Sequence, residues 1–217
     1  MVNRSSTRFC RSAGHRRGAR GFTMIELMVT LTVAGVLTAL ALPNLRPFIQ
    51  SSRLTSASND LLRSLYIARA EAVKRQVNVA VCATADPTAS DASITCSYGA
   101  SAFNGWFVFV DTNNTWQRDS AADTVIEKHA LLDSSVSVRN DADGIVSYAP
   151  SGFANLAGAK APSSNIVLCD QRGTVLLSGT DSAARAVLIA NTGRVRVTKT
   201  QTEVATAILN TVAGACP

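Results

Sequence analysis

The chain has 217 residues, room for one helical stalk and one compact domain. Its formal charge of +6 is misleading: six of the 21 Lys and Arg lie in residues 1–20 beside no acid, so the rest balances 15 cations against 15 acids. The basic total therefore does not by itself argue for nucleic acid. No Gly-x-Ser-x-Gly, Walker loop or His-Glu-x-x-His is present, and only one of the two histidines, His129, lies beyond the basic stretch. The chain is expected to be no enzyme and to need no cofactor or metal.

In chain order, a basic stretch, residues 1–21, ends at Gly21. From Phe22 to Leu42 nearly every residue is apolar or small, and Glu26 carries the one charge. As a helix those residues would run roughly 31 Å, about one hydrocarbon thickness. A carboxylate in that setting costs about 2.5–3.5 kcal/mol and needs a partner that its own helix does not supply. Pro43 and Pro47 follow and predict a bend. Residues 43–75 continue the helix as an amphipathic segment. Leu54, Ala57, Leu61, Leu65, Ala68 and Ala72 recur at spacings of three and four, one stripe suited to cover a sheet. Arg53, Arg63, Arg69, Lys74 and Arg75 fall mainly off it and read as a solvated face.

Residues 76–217 read as a β-rich domain. Val77, Val79 and Val81 alternate with Asn78, Ala80 and Cys82, a first strand. A polar loop opens at Asp86-Pro87 and returns at Ile94. Strands are expected at 105–110, 125–131, 136–138, 145–148, 166–169, 175–177, 186–190 and 194–198, punctuated by Gly173, Gly179 and Gly193. Such a sheet packed on the helix would bury both apolar faces.

Three motifs carry possible chemistry. In Gly193-Arg194-Val195-Arg196-Val197, strand alternation puts Arg194 and Arg196 on one face, roughly 6.5–7 Å apart. That spacing suits adjacent phosphates, which guanidinium grips bidentately, and Lys199 would extend the cationic stripe. The alternative is a charged strand edge that deters unwanted pairing. The run from Asp111 to Thr115 hints at calcium, but position six from Asp111 is Trp116 and position twelve is Ala122, against the EF-hand pattern. A hairpin turn is the simpler account. His129 reads as a structural residue.

The N-terminal pattern of basic leader, Gly21, Phe22, Thr23 and Glu26 resembles the signal of type IV pilins and type II secretion pseudopilins. The remainder resembles the GspH/FimT family of those proteins, FimT/FimU-like members included. That likeness rests on Val-Cys-Ala at 81–83, Gly-Trp-Phe-Val-Phe-Val-Asp at 105–111, Leu-Cys-Asp at 168–170, Gly-Arg-Val-Arg at 193–196 and Cys216. The resemblance implies an α+β, type IV pilin-like fold: a long curved N-terminal helix on an antiparallel β-rich domain. It implies that prepilin peptidase cuts between Gly21 and Phe22, that the new Phe22 amine is N-methylated, and that Glu26 pairs with that amine on a neighbouring subunit. It implies a single-pass protein of the bacterial inner membrane with its globular domain in the periplasm, built into a pilus or pseudopilus with other subunits. By match to FimT-type members, Arg194 and Arg196, with Lys199, are nominated to bind DNA during natural transformation. The runner-up is the H-type pseudopilin of type II secretion, whose work is protein export.

Of the five cysteines, Cys10 would leave with the leader. Four remain, Cys82, Cys96, Cys169 and Cys216, and an even count in an exported domain reads as two disulfides with three possible connectivities. Pairing of sequence neighbours, Cys82 with Cys96 and Cys169 with Cys216, is the expectation. Each bridge would contribute roughly 3–4 kcal/mol by loop entropy.

Overall fold

The computed structural model describes residues 21–98, 105–119, 122–156, 164–211 and 216, with 42–44 by backbone alone. The basic leader up to residue 20, Cys10 included, lies outside the described residues, as does part of the loop expected at 150–164. The chain divides into two units after Leu45. Helix α1, Met24–Arg75, carries residues of both, and neither Pro43 nor Pro47 ends it.

In the first unit, Thr23 caps the helix: its hydroxyl accepts from the Glu26 amide at 3.2 Å, and its carbonyl accepts from Leu27 N at 3.1 Å. Thr23-x-x-Glu26 is the spacing of a capping box, and an acid in the first turn complements the helix dipole. Past the cap, residues 24–41 form an apolar span long enough to cross a membrane, and every side chain of it is exposed. The hydroxyls of Thr30, Thr32 and Thr38 donate back to carbonyls of the preceding turn, so these three are satisfied within the helix and Glu26 is left as the polar group of the span that needs an outside partner.

The second unit is built on the predicted stripe. Leu54, Leu61, Leu65, Ala68 and Ala72 are fully buried or nearly so. They face two antiparallel sheets rather than one. The first has the order β3-β2-β1-β5, from β1 (Asn78–Thr84), β2 (Gly105–Asp111), β3 (Val125–Lys128) and β5 (Ile145–Tyr148). The second runs β4-β6-β8-β7, with β9 also paired to β8. Its strands are β4 (Ser137–Asn140), β6 (Asn165–Cys169), β7 (Leu176–Ser178), β8 (Asp181–Ile189) and β9 (Val195–Thr200). One cluster joins the stripe to Val79, Val81, Trp106, Val108 and Tyr148 of the first sheet and to Ile166, Leu168, Val187 and Val195 of the second.

Each sheet needs a cover on its far face. On the first, Phe107, Phe109 and Ile145 pack with Ile94 and Trp116, which come from loops. On the second, Val167, Ala184 and Ala186 pack with Val204 and Ala207 of a second helix, α2 (Gln201–Leu209). The sequence reading missed α2. Val204, Ala207 and Ile208 do hold helical spacing, but nine residues after a strand give a weak periodic signal. Both disulfides follow the expected pairing, with Cα atoms 5.6 Å apart in Cys82–Cys96 and 5.8 Å in Cys169–Cys216. The first ties a covering loop to β1, and the second ties Cys216, beyond α2, to β6.

Strand β8 starts five residues earlier than expected, at Asp181, because its first half pairs with β7 while its second half pairs with β9. A register irregularity lies between Asp181 and Ala186.

A candidate arginine groove on the second sheet

The β8–β9 hairpin is closed by a three-residue loop, Asn191-Thr192-Gly193. Gly193 N donates to Ala190 O at 2.8 Å, and Ala190 N donates to Arg194 O at 2.9 Å. Gly193 sits at φ +74°, the left-handed position that such a loop requires. A Cβ there would also lie 2.2 Å from the carbonyl oxygen of Gly152. Glycine is therefore demanded twice at this position, by dihedral and by space.

Helix α1 fixes the hairpin from below. Arg69 Nε donates to Gly152 O at 2.8 Å, and its Nη2 donates to Thr192 O at 3.2 Å. The Tyr66 hydroxyl donates to Val195 O at 3.3 Å. Arg69, read from sequence as part of a solvated face, is instead a clasp between helix and loop. Nothing in its spacing announces this, because its acceptors are main-chain carbonyls more than 80 residues away.

Beyond the loop, Val195 is buried toward α1 and Arg196 is exposed on the opposite face. The pairing aligns Arg196 with Leu188 and Leu188 with Asn165, so these three form a row across β9, β8 and β6. Arg194 and Arg196 line one groove of about 470 Å³ with Ser164, Asn165, Leu188 and Ala190. A neighbouring recess of about 250 Å³ is lined by Asn165, Leu188, Arg196, Thr202 and Glu203.

The two arginines differ electrostatically. Arg196 Nη2 donates to Glu203 Oε1 at 2.7 Å, with the Arg side chain 56% exposed. Arg196, and then the Thr198 hydroxyl, hold the Glu203 carboxyl below its ordinary range, while Glu203 raises Arg196. Both side chains are solvent-screened, so the pair contributes little stability. Among the described residues, no carboxylate pairs with Arg194. Lys199 lies at an odd position relative to the two arginines and pairs with Asp181 across the β8–β9 ladder.

Glu26 is exposed in the first turn of α1, with no cation at ion-pair distance among the described residues. Gly21 and Phe22 precede the helix in open chain. Asp111 is fully buried and caps its own loop: Oδ2 accepts from Trp116 N at 2.9 Å and Oδ1 from Thr115 N at 3.2 Å. Burial nevertheless pushes its carboxyl up. Asp123 accepts from the Thr112 amide at 3.0 Å, so both carboxylates hold a turn, as the sequence favoured. His129 stacks on Trp106 with ring centroids 3.8 Å apart, and its Nε2 lies 3.5 Å from Asp60.

Residues 57–193 match the family model described as type II transport protein GspH, and residues 16–42 match the prokaryotic N-terminal methylation motif. The first match covers more than half of the chain, and the chain belongs to the GspH family. The type IV major alpha-pilin of Moraxella bovis is 43% identical over 42 residues, 19% of this chain and 26% of that pilin. The type IV major pilin protein PilA of Myxococcus xanthus is 42% identical over 50 residues, 23% of this chain and 22% of that protein. The chain thus spans about a quarter of the length of these relatives. The Pseudomonas aeruginosa type IV minor pilin FimU superposes with a TM-score of 0.47 at 18% identity, covering 70% of this chain and 92% of FimU. A second crystal form of FimU gives 0.44 and 17%, covering 67% and 92%. The chain is a pilin-like structural subunit of that family, and its N-terminal helix is long and apolar enough to cross a membrane.

Replacing Gly193 by Ala is expected to cost roughly 1–3 kcal/mol of unfolding free energy, from a forced left-handed residue plus the clash with Gly152. Denaturant unfolding of the variant measures this. An unchanged midpoint would mean that the loop relaxes freely.

Proposed function

We propose that this subunit is a minor pilin of a type IV pilus, and that its globular domain binds DNA backbone through Arg194 and Arg196. In this reading, prepilin peptidase cuts between Gly21 and Phe22. Glu26 then pairs with the methylated Phe22 amine of an adjacent subunit, and that pair sets the axial register of assembly. The anchor sits in the inner membrane until assembly, with the globular domain in the periplasm.

One observation carries the DNA reading: two guanidiniums share an exposed groove, and the Gly193 loop and Arg69 hold its backbone rigid. Rigid placement of cations lowers the cost of gripping a phosphate chain. The residues after 171 carry five cations against two acids, so the local field favours a polyanion. Ser164 and Asn165 add hydrogen-bonding groups to the groove wall. Among the described residues no aromatic side chain lines the groove, so sequence readout by stacking is not expected.

A second reading is favoured by the family description itself. As an H-type pseudopilin, the chain would sit in the short pseudopilus of type II secretion and serve protein export. A deletion strain separates the two readings. Loss of twitching and transformation supports the pilus, and loss of exoprotein secretion supports the pseudopilus. Complementation with Glu26→Ala should restore neither phenotype, and full restoration would remove Glu26 from assembly.

DNA binding is tested by gel shift across a salt series. Arg194→Gln combined with Arg196→Gln should weaken binding and flatten the log–log salt slope by about two. Glu203→Gln should tighten binding by releasing Arg196. Affinity indifferent to the double change would eliminate the groove as the grip.

A further inference from the structure

The turn leading into β7 is fastened to the start of the globular part of α1. Arg172 Nη1 donates to Pro47 O at 3.3 Å and to Ser51 Oγ at 3.1 Å. The same guanidinium pairs with buried Asp170, which fixes its direction. Val175 N donates to Arg172 O at 3.3 Å, so the residues that follow are held close to Pro47.

Those residues are Val175, Leu176 and Leu177, exposed by 60%, 54% and 44%. Alternation would normally bury one face of a strand. Here all three aliphatic side chains face water, because β7 pairs only with β8 and neither sheet cover reaches it. Phe48 and Ile49 of α1 are exposed beside Pro47, by 71% and 47%. Arg46 is exposed next to them, with no carboxylate partner among the described residues. This end of the globular unit thus gathers five large apolar side chains and a cation.

The chain itself says what lies nearby. The apolar span ends at Ala41, and Pro47 follows six residues later. Six residues reach at most ~22 Å even when fully extended. Whatever angle the two units take, the Val175–Leu177 hairpin is leashed to the membrane end of the span. Exposed apolar clusters of this kind mark interaction sites, and apolar side chains beside cations suit the headgroup–acyl boundary.

We infer that the Val175–Leu177 hairpin, with Phe48 and Ile49, inserts into the lipid interface while the subunit awaits assembly. The partner is a phospholipid surface, with Arg46 meeting anionic headgroups. Inserted this way, the globular unit is held against the bilayer at one end, and leaving the membrane means withdrawing the hairpin as well as the span. The inference rests on the membrane-anchored reading, and the test separates the two.

The full chain is reconstituted in phosphatidylethanolamine–phosphatidylglycerol vesicles whose acyl chains are brominated near the headgroup. Native Trp106 and Trp116 are fully buried and give a constant background. Three exposed positions each take a tryptophan: Leu37→Trp in the span, Leu176→Trp in the hairpin and Phe153→Trp as the distant control. Phe153 follows Gly152, which Arg69 holds 22 residues beyond Pro47, about 33 Å along α1. Bromine should cause loss of emission for L37W and L176W and none for F153W, and Leu177→Trp should repeat the L176W result if that variant misfolds. Quenching of L37W alone would overturn the hairpin docking and leave anchoring intact. Insensitivity of L37W would overturn both. Quenching of all three would overturn docking by one end. A blue shift of L176W without bromine quenching would mean that a second copy covers the hairpin, which also overturns lipid contact.

Discussion

The globular structure depends on burying one stripe of α1. Leu54, Leu61, Leu65, Ala68 and Ala72 form the floor on which both sheets rest. Neither sheet contacts water on that side, and each therefore needs a different cover outside. Loops pinned by Cys82–Cys96 supply the first cover, and α2 with Cys169–Cys216 supplies the second. Removing the stripe would leave two thin sheets with a single covered face each and would forfeit the apolar burial, at about 25 cal/mol per Å², that joins them.

The same helix that organises the core also positions the groove. Tyr66 and Arg69 reach from α1 to main-chain carbonyls at Val195, Thr192 and Gly152. The inner face of the β8–β9 hairpin is thereby fixed, and Arg194 and Arg196 project from the outer one. Glu203, in the first turn of α2, competes for Arg196. The groove is thus a balance of two cations and one acid on a rigid frame rather than an open basic patch.

Much of this was legible in the sequence because it follows from periodicity. The α1 stripe is a repeat of 3.6 that burial enforces, the run at 105–111 is a continuous apolar strand buried on both faces, and Arg194 and Arg196 flank the inward-facing Val195. Even parity of the cysteines read as two disulfides but left three connectivities open, and the local pairing was a choice among them. What stayed hidden depends on distant partners. Arg69 looked solvated because its acceptors are backbone atoms of other loops. The split into two sheets rests on non-local pairing, β1 with β5 and β4 with β6, which alternation along one strand does not specify. The helix α2 was too short for its period to stand out, and Thr23 as the cap of Glu26 was overlooked beside the more conspicuous charge.

The proposed function requires the apolar helix to become the N-terminus of a processed, membrane-held subunit. Mass spectrometry of the protein from cells with active prepilin peptidase tests it most directly. The predicted result is a chain beginning at N-methylated Phe22, with residues 1–21 absent. A chain still carrying that basic leader under the same conditions would contradict the claim.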